Sequence, residues 1–245
     1  MDGPARIPAE RRRRRPTRSG TVLSAESITT AALALIEAPG GNALTVRKLG
    51  AALGCDPSSV YRYFPDTDAI LMAAADRLIH DSLQGLTRSD SWERDLRDFA
   101  HRLHRSMLAH PRLAMVRASR VTAGPAEAHA IDTGIGILLR AGYTPLQAVR
   151  RYRLFVDTIL AQAAADAAAQ NPDPQDRDER PDRTWSEYQH GFPTGEYPHL
   201  DAVRSELFAM GEPTFPEILD LMIQSFAQQL DRPDGTPEHT ATDDA

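Results

Sequence analysis

The stretch from Leu44 to Phe64, LTVRKLGAALGCDPSSVYRYF, constrains this chain more than any other. It reads as two short helices joined by a tight turn. Thr45 can cap the first, because its hydroxyl accepts a bond from a backbone N–H that has no partner within the helix. Val46, Leu49 and Leu53 recur at i, i+3 and i+7 and give that helix one apolar face. Gly54 stands where the chain must turn through a left-handed conformation, which a residue without Cβ adopts at little cost. Asp56 caps the second helix, and Pro57 fits its first position, where no N–H is needed. Gly50 lets the two helices cross closely, and Val60 fills the angle between them. The pattern predicts a helix-turn-helix.

The second helix of the pair turns Ser58, Ser59, Tyr61, Arg62 and Tyr63 outward. Hydroxyls, a guanidinium and amphipathic rings are the side chains that bond phosphates and base edges in a major groove. A plain helical hairpin could carry the same polar face, so the charge distribution matters. Residues 1–65 hold ten Lys/Arg against five Asp/Glu, whereas the rest hold 18 against 29. A basic leading part on an acidic body predicts local contact with a polyanion. Lysine occurs once, at Lys48, so the abundance of arginine by itself says little.

Residues 1–22 hold seven arginines with Pro, Gly and Ser and are expected to be a disordered arm, either a solubilising tail or a segment that follows a phosphate backbone or enters a minor groove. Ser24 caps a helix to about residue 38, with Ile28, Ala31, Ala32 and Leu35 on its buried face. After Pro65, Thr67 is expected to cap a long helix to about Leu86, a natural lever between a DNA-reading head and a body. The body starts near Trp92. Its expected helices carry Leu96, Phe99, Leu103 and Met107, then Leu113 to Val116, then residues 125–141, then 145–169. Residues 170–199 interrupt the pattern with a charged, proline-rich run and four spaced aromatics, read as a mobile loop whose aromatic half folds onto the body. Helices near 200–210 and 215–230 follow, and 234–245 is expected to be a disordered tail.

At this point residues 23–80 resemble the N-terminal domain of the tetracycline-repressor (TetR) family. The resemblance rests on Ala31 to Ile36, Leu44 to Leu49, Tyr61 to Phe64 and Asp68 to Leu71. It implies an all-α protein: a helix-turn-helix domain over 23–70 and a helical-bundle ligand-binding and dimerisation domain over 71–233. It further implies a homodimer that binds a palindromic operator and leaves it when a small-molecule effector enters the body. On that resemblance Arg47 takes a base or phosphate contact, and Ser58, Ser59, Tyr61, Arg62 and Tyr63 lie on the recognition helix. Lys48 and Thr67 complete the expected DNA-binding set, although many members carry a phosphate-gripping lysine where this chain has Thr67.

The body more distantly resembles that of the tetracycline repressors proper. That likeness implies a dimer bundle built from the central and last helices, here expected to use Val156, Ile159, Leu160, Leu219, Met222 and Phe226. An effector pocket is expected among Phe99, Leu103, His104, Arg105, Met107, Arg117, Phe155 and Thr158. Where that subfamily holds a drug–magnesium complex with histidine, this chain has Arg117 and Leu83, a departure that argues against tetracycline.

No metal site or cofactor is expected. His101 and His104 are three apart without the carboxylate or His pairing of a zinc helix. No glycine-rich phosphate loop, nucleophile elbow or CxxC pair occurs. The single Cys55 suits a reducing compartment, and no apolar run reaches the ~20 residues of a membrane span, so the expected location is the cytoplasm. Two other readings stay open: a DNA-binding dimer without an effector, and a DNA-binding head on a helical enzyme.

Overall fold

A computed structural model of the chain describes residues 22–38, 44–170 and 192–231. The expectations for an arm over 1–21, for the first part of the loop over 171–191 and for the tail after 231 lie outside those residues. No strand occurs among the described residues. The chain divides into two compact units, Met1–Arg77 and Leu78–Ala245.

In the first unit, α1 (Ala25–Glu37) opens on a reciprocal cap: Ser24 Oγ accepts from the Ser27 N–H at 3.0 Å, and Ser27 Oγ accepts from the Ser24 N–H at 2.9 Å. Helix α2 (Val46–Leu53) starts at Thr45, whose hydroxyl accepts from the Lys48 N–H, and ends at Gly54 with φ 64°. A turn of 3-10 helix, Pro57–Arg62, follows, capped by Asp56. Ile28, Ala32, Val46, Leu49, Leu53, Val60 and Ile70 form one core between these pieces. The expected cap at Thr67 falls one residue earlier. Helix α3 (Thr67–Ser82) already includes Thr67, and Asp66 Oδ1 takes the Ala69 N–H at 2.7 Å. The helix also ends sooner than Leu86, because Gly85 turns the chain at φ 73°. The boundary between the two units falls inside α3, later than the sequence division at residue 70.

The second unit is a helical bundle. Helices α4 (Trp92–Ala109), α5 (Pro111–Ser119) and α6 (Pro125–Ala141) all pack on α7 (Pro145–Gln170). A short α8 (Pro198–Ala202) and a 3-10 stretch, Arg204–Gly211, lead to α9 (Phe215–Leu230), which packs on α4 and α7. The main core gathers Leu96, Phe99, Leu103, Leu138, Tyr152, Phe155, Ile159, Leu219 and Phe226 among others. A smaller one joins Met107 and Ala114 to Ala163, Ala164 and Ala167. Two polar groups inside are matched: the Tyr143 hydroxyl donates to the Phe226 carbonyl at 2.7 Å, and buried Asp95 accepts from Arg140 at 2.7 Å and from the Ser89 N–H at 2.8 Å. Burial would raise the Asp95 carboxyl, but the bonds from Ser89 and Arg140 outweigh it and hold the group below its ordinary range. No helix among the described residues is long and apolar enough to cross a membrane.

Candidate nucleic-acid interface and effector cavity

The reading head depends on how closely α2 approaches the 3-10 turn. A Cβ placed on Gly50 would meet the Cys55 carbonyl oxygen at 3.0 Å and Pro57 Cγ at 3.0 Å, so only glycine fits the crossing without displacement. Val60, fully buried, closes the angle. The opposite side of the turn is thereby presented outward. Tyr61 is 56% exposed, Arg47 and Arg62 are exposed, and Ser59 is half-buried. No side-chain hydrogen bond of these four occurs among the described residues.

Three other expected contacts are partly committed. Ser58 donates its hydroxyl to Asp56 Oδ1 at 2.6 Å as part of the cap. Tyr63 donates to the Leu23 carbonyl at 2.8 Å, tying the end of the turn to the entry of α1. Thr67 sits at the start of α3 beside the Asp66 carboxylate, which already occupies an N–H there and would repel a phosphate. Lys48 is exposed on α2. Cys55 is half-buried, and burial followed by the neighbouring Asp56 charge pushes its thiol up, away from the reactive thiolate.

In the second unit a cavity of about 40 Å³ is lined by Ile79, Phe99, Leu103, Ala130, Val156 and Leu160, with Arg117, Arg120, Thr122, Glu127 and Tyr152 supplying polar atoms. Of the expected pocket residues it takes Phe99, Leu103 and Arg117. The others go elsewhere, for reasons of helix geometry. Met107 is one turn beyond Leu103 and has passed the cavity into the alanine-rich core. Arg105 is two residues from Leu103, hence on the opposite face, and is exposed. His104 stacks on Phe215 with centroids 3.7 Å apart and bonds Asp166 at 2.7 Å. Phe155 is core, and Thr158 donates back to the Leu154 carbonyl at 2.8 Å. Residues 192–199 do not line the cavity either; Phe192 and Tyr197 pack edge to face on each other.

The expected dimer residues are mostly turned inward within one chain. Ile159, Leu219 and Phe226 are fully enclosed within one chain, and Val156 and Leu160 belong to the cavity wall. Met222 packs at the margin of the core. The apolar surface that α7 and α9 leave in the open is instead Leu146, Val149, Leu154 and Leu221. Arg153 and Asp157 pair within α7, beside that surface.

Sequence reasoning missed Tyr152, Glu127 and Thr122. Tyr152 had a signal in Gly134: a Cβ there would lie 2.3 Å from Tyr152 Cε2, so the ring lies across the glycine where α6 and α7 approach. Glu127 Oε2 accepts from the N–H groups of Thr122 and Ala123 and from the Thr122 hydroxyl, bracing a turn in which Ala123 has φ 56°. A second, more polar cleft of about 310 Å³ runs past Arg88, His129, Asp132 and the Asp95–Arg140 pair. No group of three His, Cys, Asp or Glu able to hold a metal occurs among the described residues.

Comparison with known proteins matches residues 28–74 to the bacterial regulatory proteins of the tetR family and residues 84–230 to the tetracyclin repressor-like C-terminal domain. An HTH-type transcriptional regulator of Saccharopolyspora erythraea is 29% identical over 109 residues, covering 44% of this chain and 46% of that protein. The HTH-type transcriptional repressor DrrR1 of Streptomyces coeruleorubidus is 27% identical over 153 residues, covering 62% and 56%. The matches thus span about half the length of these relatives. Among solved structures, the TetR family protein ActR of Streptomyces coelicolor, in complex with actinorhodin, superposes with a TM-score of 0.71 at 21% identity, covering 86% of this chain and 99% of that one.

Proposed function

The chain belongs to the tetracycline-repressor family of transcriptional regulators, and from that premise we propose that it is a ligand-responsive repressor acting as a homodimer on a palindromic operator. The observation that carries the reading is the helix-turn-helix, whose Gly50 crossing presents Arg47, Ser59, Tyr61 and Arg62 with their side chains uncommitted. Arg62 reads a base edge; Arg47, Ser59 and Tyr61 hold phosphates or sugars and fix the register. Ser58, Lys48 and the ring of Tyr63 border that contact. The dimer uses the open apolar surface of α7 and α9, because Leu146, Val149, Leu154 and Leu221 have no partner of their own in the bundle.

The cavity beside Arg117 supports an effector over an effector-free dimer, since a body built only to dimerise has no use for polar atoms gathered at an internal void. Binding would have to widen it, because about 40 Å³ is well below the volume of an ordinary small-molecule site. ActR with its bound actinorhodin offers a precedent for a ligand in a body of this fold. The enzyme reading is set aside with the family assignment.

The experiment is selection of DNA fragments from the protein's own genome, followed by titration of the selected operator and its single-base variants. A palindrome with half-sites about 34–36 Å apart is expected. Arg62→Ala should cost about 1–3 kcal/mol and relax preference at one base position in each half. Unchanged preference would remove Arg62 from the readers, and no enrichment of any fragment would defeat the proposed function.

A further inference from the structure

Arg117 is 6% exposed, which is unusual for a guanidinium without a salt bridge. Its Nη1 donates to Ser106 Oγ at 3.2 Å, and its Nε, out of reach of solvent, donates to nothing. Ser106 is neutral and brings no counter-charge. Burial pushes the guanidinium down to about 10 while the Glu127 charge acts in the opposite sense. Glu127 acts on it only through space, with no ion pair between the two. Its Oε2 is taken by two backbone N–H groups and a hydroxyl of the Thr122–Ala123 turn. A buried charge left in this condition is costly unless something else completes its shell.

The surroundings say what that would be. Arg117 lines the same cavity as Tyr152, whose hydroxyl forms no hydrogen bond among the described residues. Burial, with the nearby Glu127 and Asp157 charges, pushes that hydroxyl up strongly, so it remains a neutral donor. Two donors therefore look for an acceptor on one side of a void otherwise walled by Ile79, Phe99, Leu103, Val156 and Leu160. Val156 and Leu160 are only partly buried, which gives the void an apolar margin toward the outside.

We propose that the effector is an organic monoanion whose carboxylate, or equally acidic enolate, accepts from Arg117 Nε and the Tyr152 hydroxyl while its apolar body lies along Phe99, Leu103, Val156 and Leu160. The assignment rests on the ligand-sensing reading and adds the charge of the ligand to it. The Glu127 carboxylate in the same lining disfavours more than one negative charge. Recognition is direct, by a planar fork suited to two oxygens of a carboxylate, and needs no metal ion between ligand and protein.

The test uses the full chain and two probes of one shape, 2-naphthoate and its uncharged amide, titrated by ligand-observed NMR into wild type and Arg117→Gln. Wild type is expected to bind 2-naphthoate at least tenfold more tightly than 2-naphthamide. In Arg117→Gln the acid should lose tenfold or more while the amide changes less than twofold, which also reports an intact cavity. Removing a buried charge that has no ion-pair partner is not expected to unfold the bundle, and equal or higher thermal stability of the variant would agree with a guanidinium kept for binding. If both probes bind wild type equally, the anion assignment falls and ligand sensing stands. If the acid keeps its advantage in Arg117→Gln, the anion is read by another group and the assignment falls. If neither probe binds, both the assignment and the ligand-sensing reading fail.

Discussion

At Gly50 an added methyl would press on the Cys55 carbonyl and on the Pro57 ring, both at 3.0 Å and both part of a stiff turn. Neither neighbour is the end of a flexible side chain, so the 3-10 turn itself must shift. Gly50→Ala is therefore expected to cost about 1–3 kcal/mol by overpacking, although alanine favours the helix itself. Chemical denaturation checks the stability, and operator affinity should fall with it because Tyr61 and Arg62 move with the turn. A stable variant that still binds would mean that the crossing has slack. This residue, with Thr45, Gly54, Asp56 and Val60, was legible in the sequence because each acts on neighbours within the same short stretch of chain. The hydroxyl of Tyr63 was not. Its acceptor, the Leu23 carbonyl, is forty residues away, and no local pattern announces it.

At the scale of elements, α7 shows what periodicity can and cannot tell. Its apolar positions face several directions, which fits either a central or an interface helix; the structure packs α4, α5 and α6 on it. Periodicity does not say which stripe meets which neighbour. Ile159 went to the core, Val156 and Leu160 to the cavity, and the outermost stripe kept Leu146, Val149 and Leu154. The same limit explains the pocket. Phe99 and Leu103 share the cavity wall, but one more turn carried Met107 past the end of the void, and Tyr152 came from a helix distant in sequence. If α7 and α9 form the dimer surface, a charge at 52%-exposed Leu154 is harmless to one chain and damaging to two. Leu154→Glu should leave helix content unchanged, shift sedimentation toward the monomer and lower operator affinity in proportion. A dimer that survives this change would place the interface on another face.

For the whole molecule, the proposed switch requires that effector and operator favour different states of the same dimer. Helix α3 is the element both units share, since the boundary between them falls within it. A helix of 16 residues is about 24 Å long and transmits a tilt with little bending. In a dimer held on two half-sites, a small change in the separation of the heads loses contacts in both halves at once. The energetic consequence does not depend on the path that the change takes. An effector that weakens operator binding a hundredfold must itself bind the operator-bound protein a hundredfold less tightly, about 2.7 kcal/mol of coupling, because the two bindings share one thermodynamic cycle. Calorimetric titration of the effector into free protein and into protein saturated with the selected operator measures that ratio directly. If induction works as proposed, the ratio equals the effector-induced drop in operator affinity measured independently. Equal effector affinity in the two titrations would exclude release by ligand and leave a regulator governed by its own abundance.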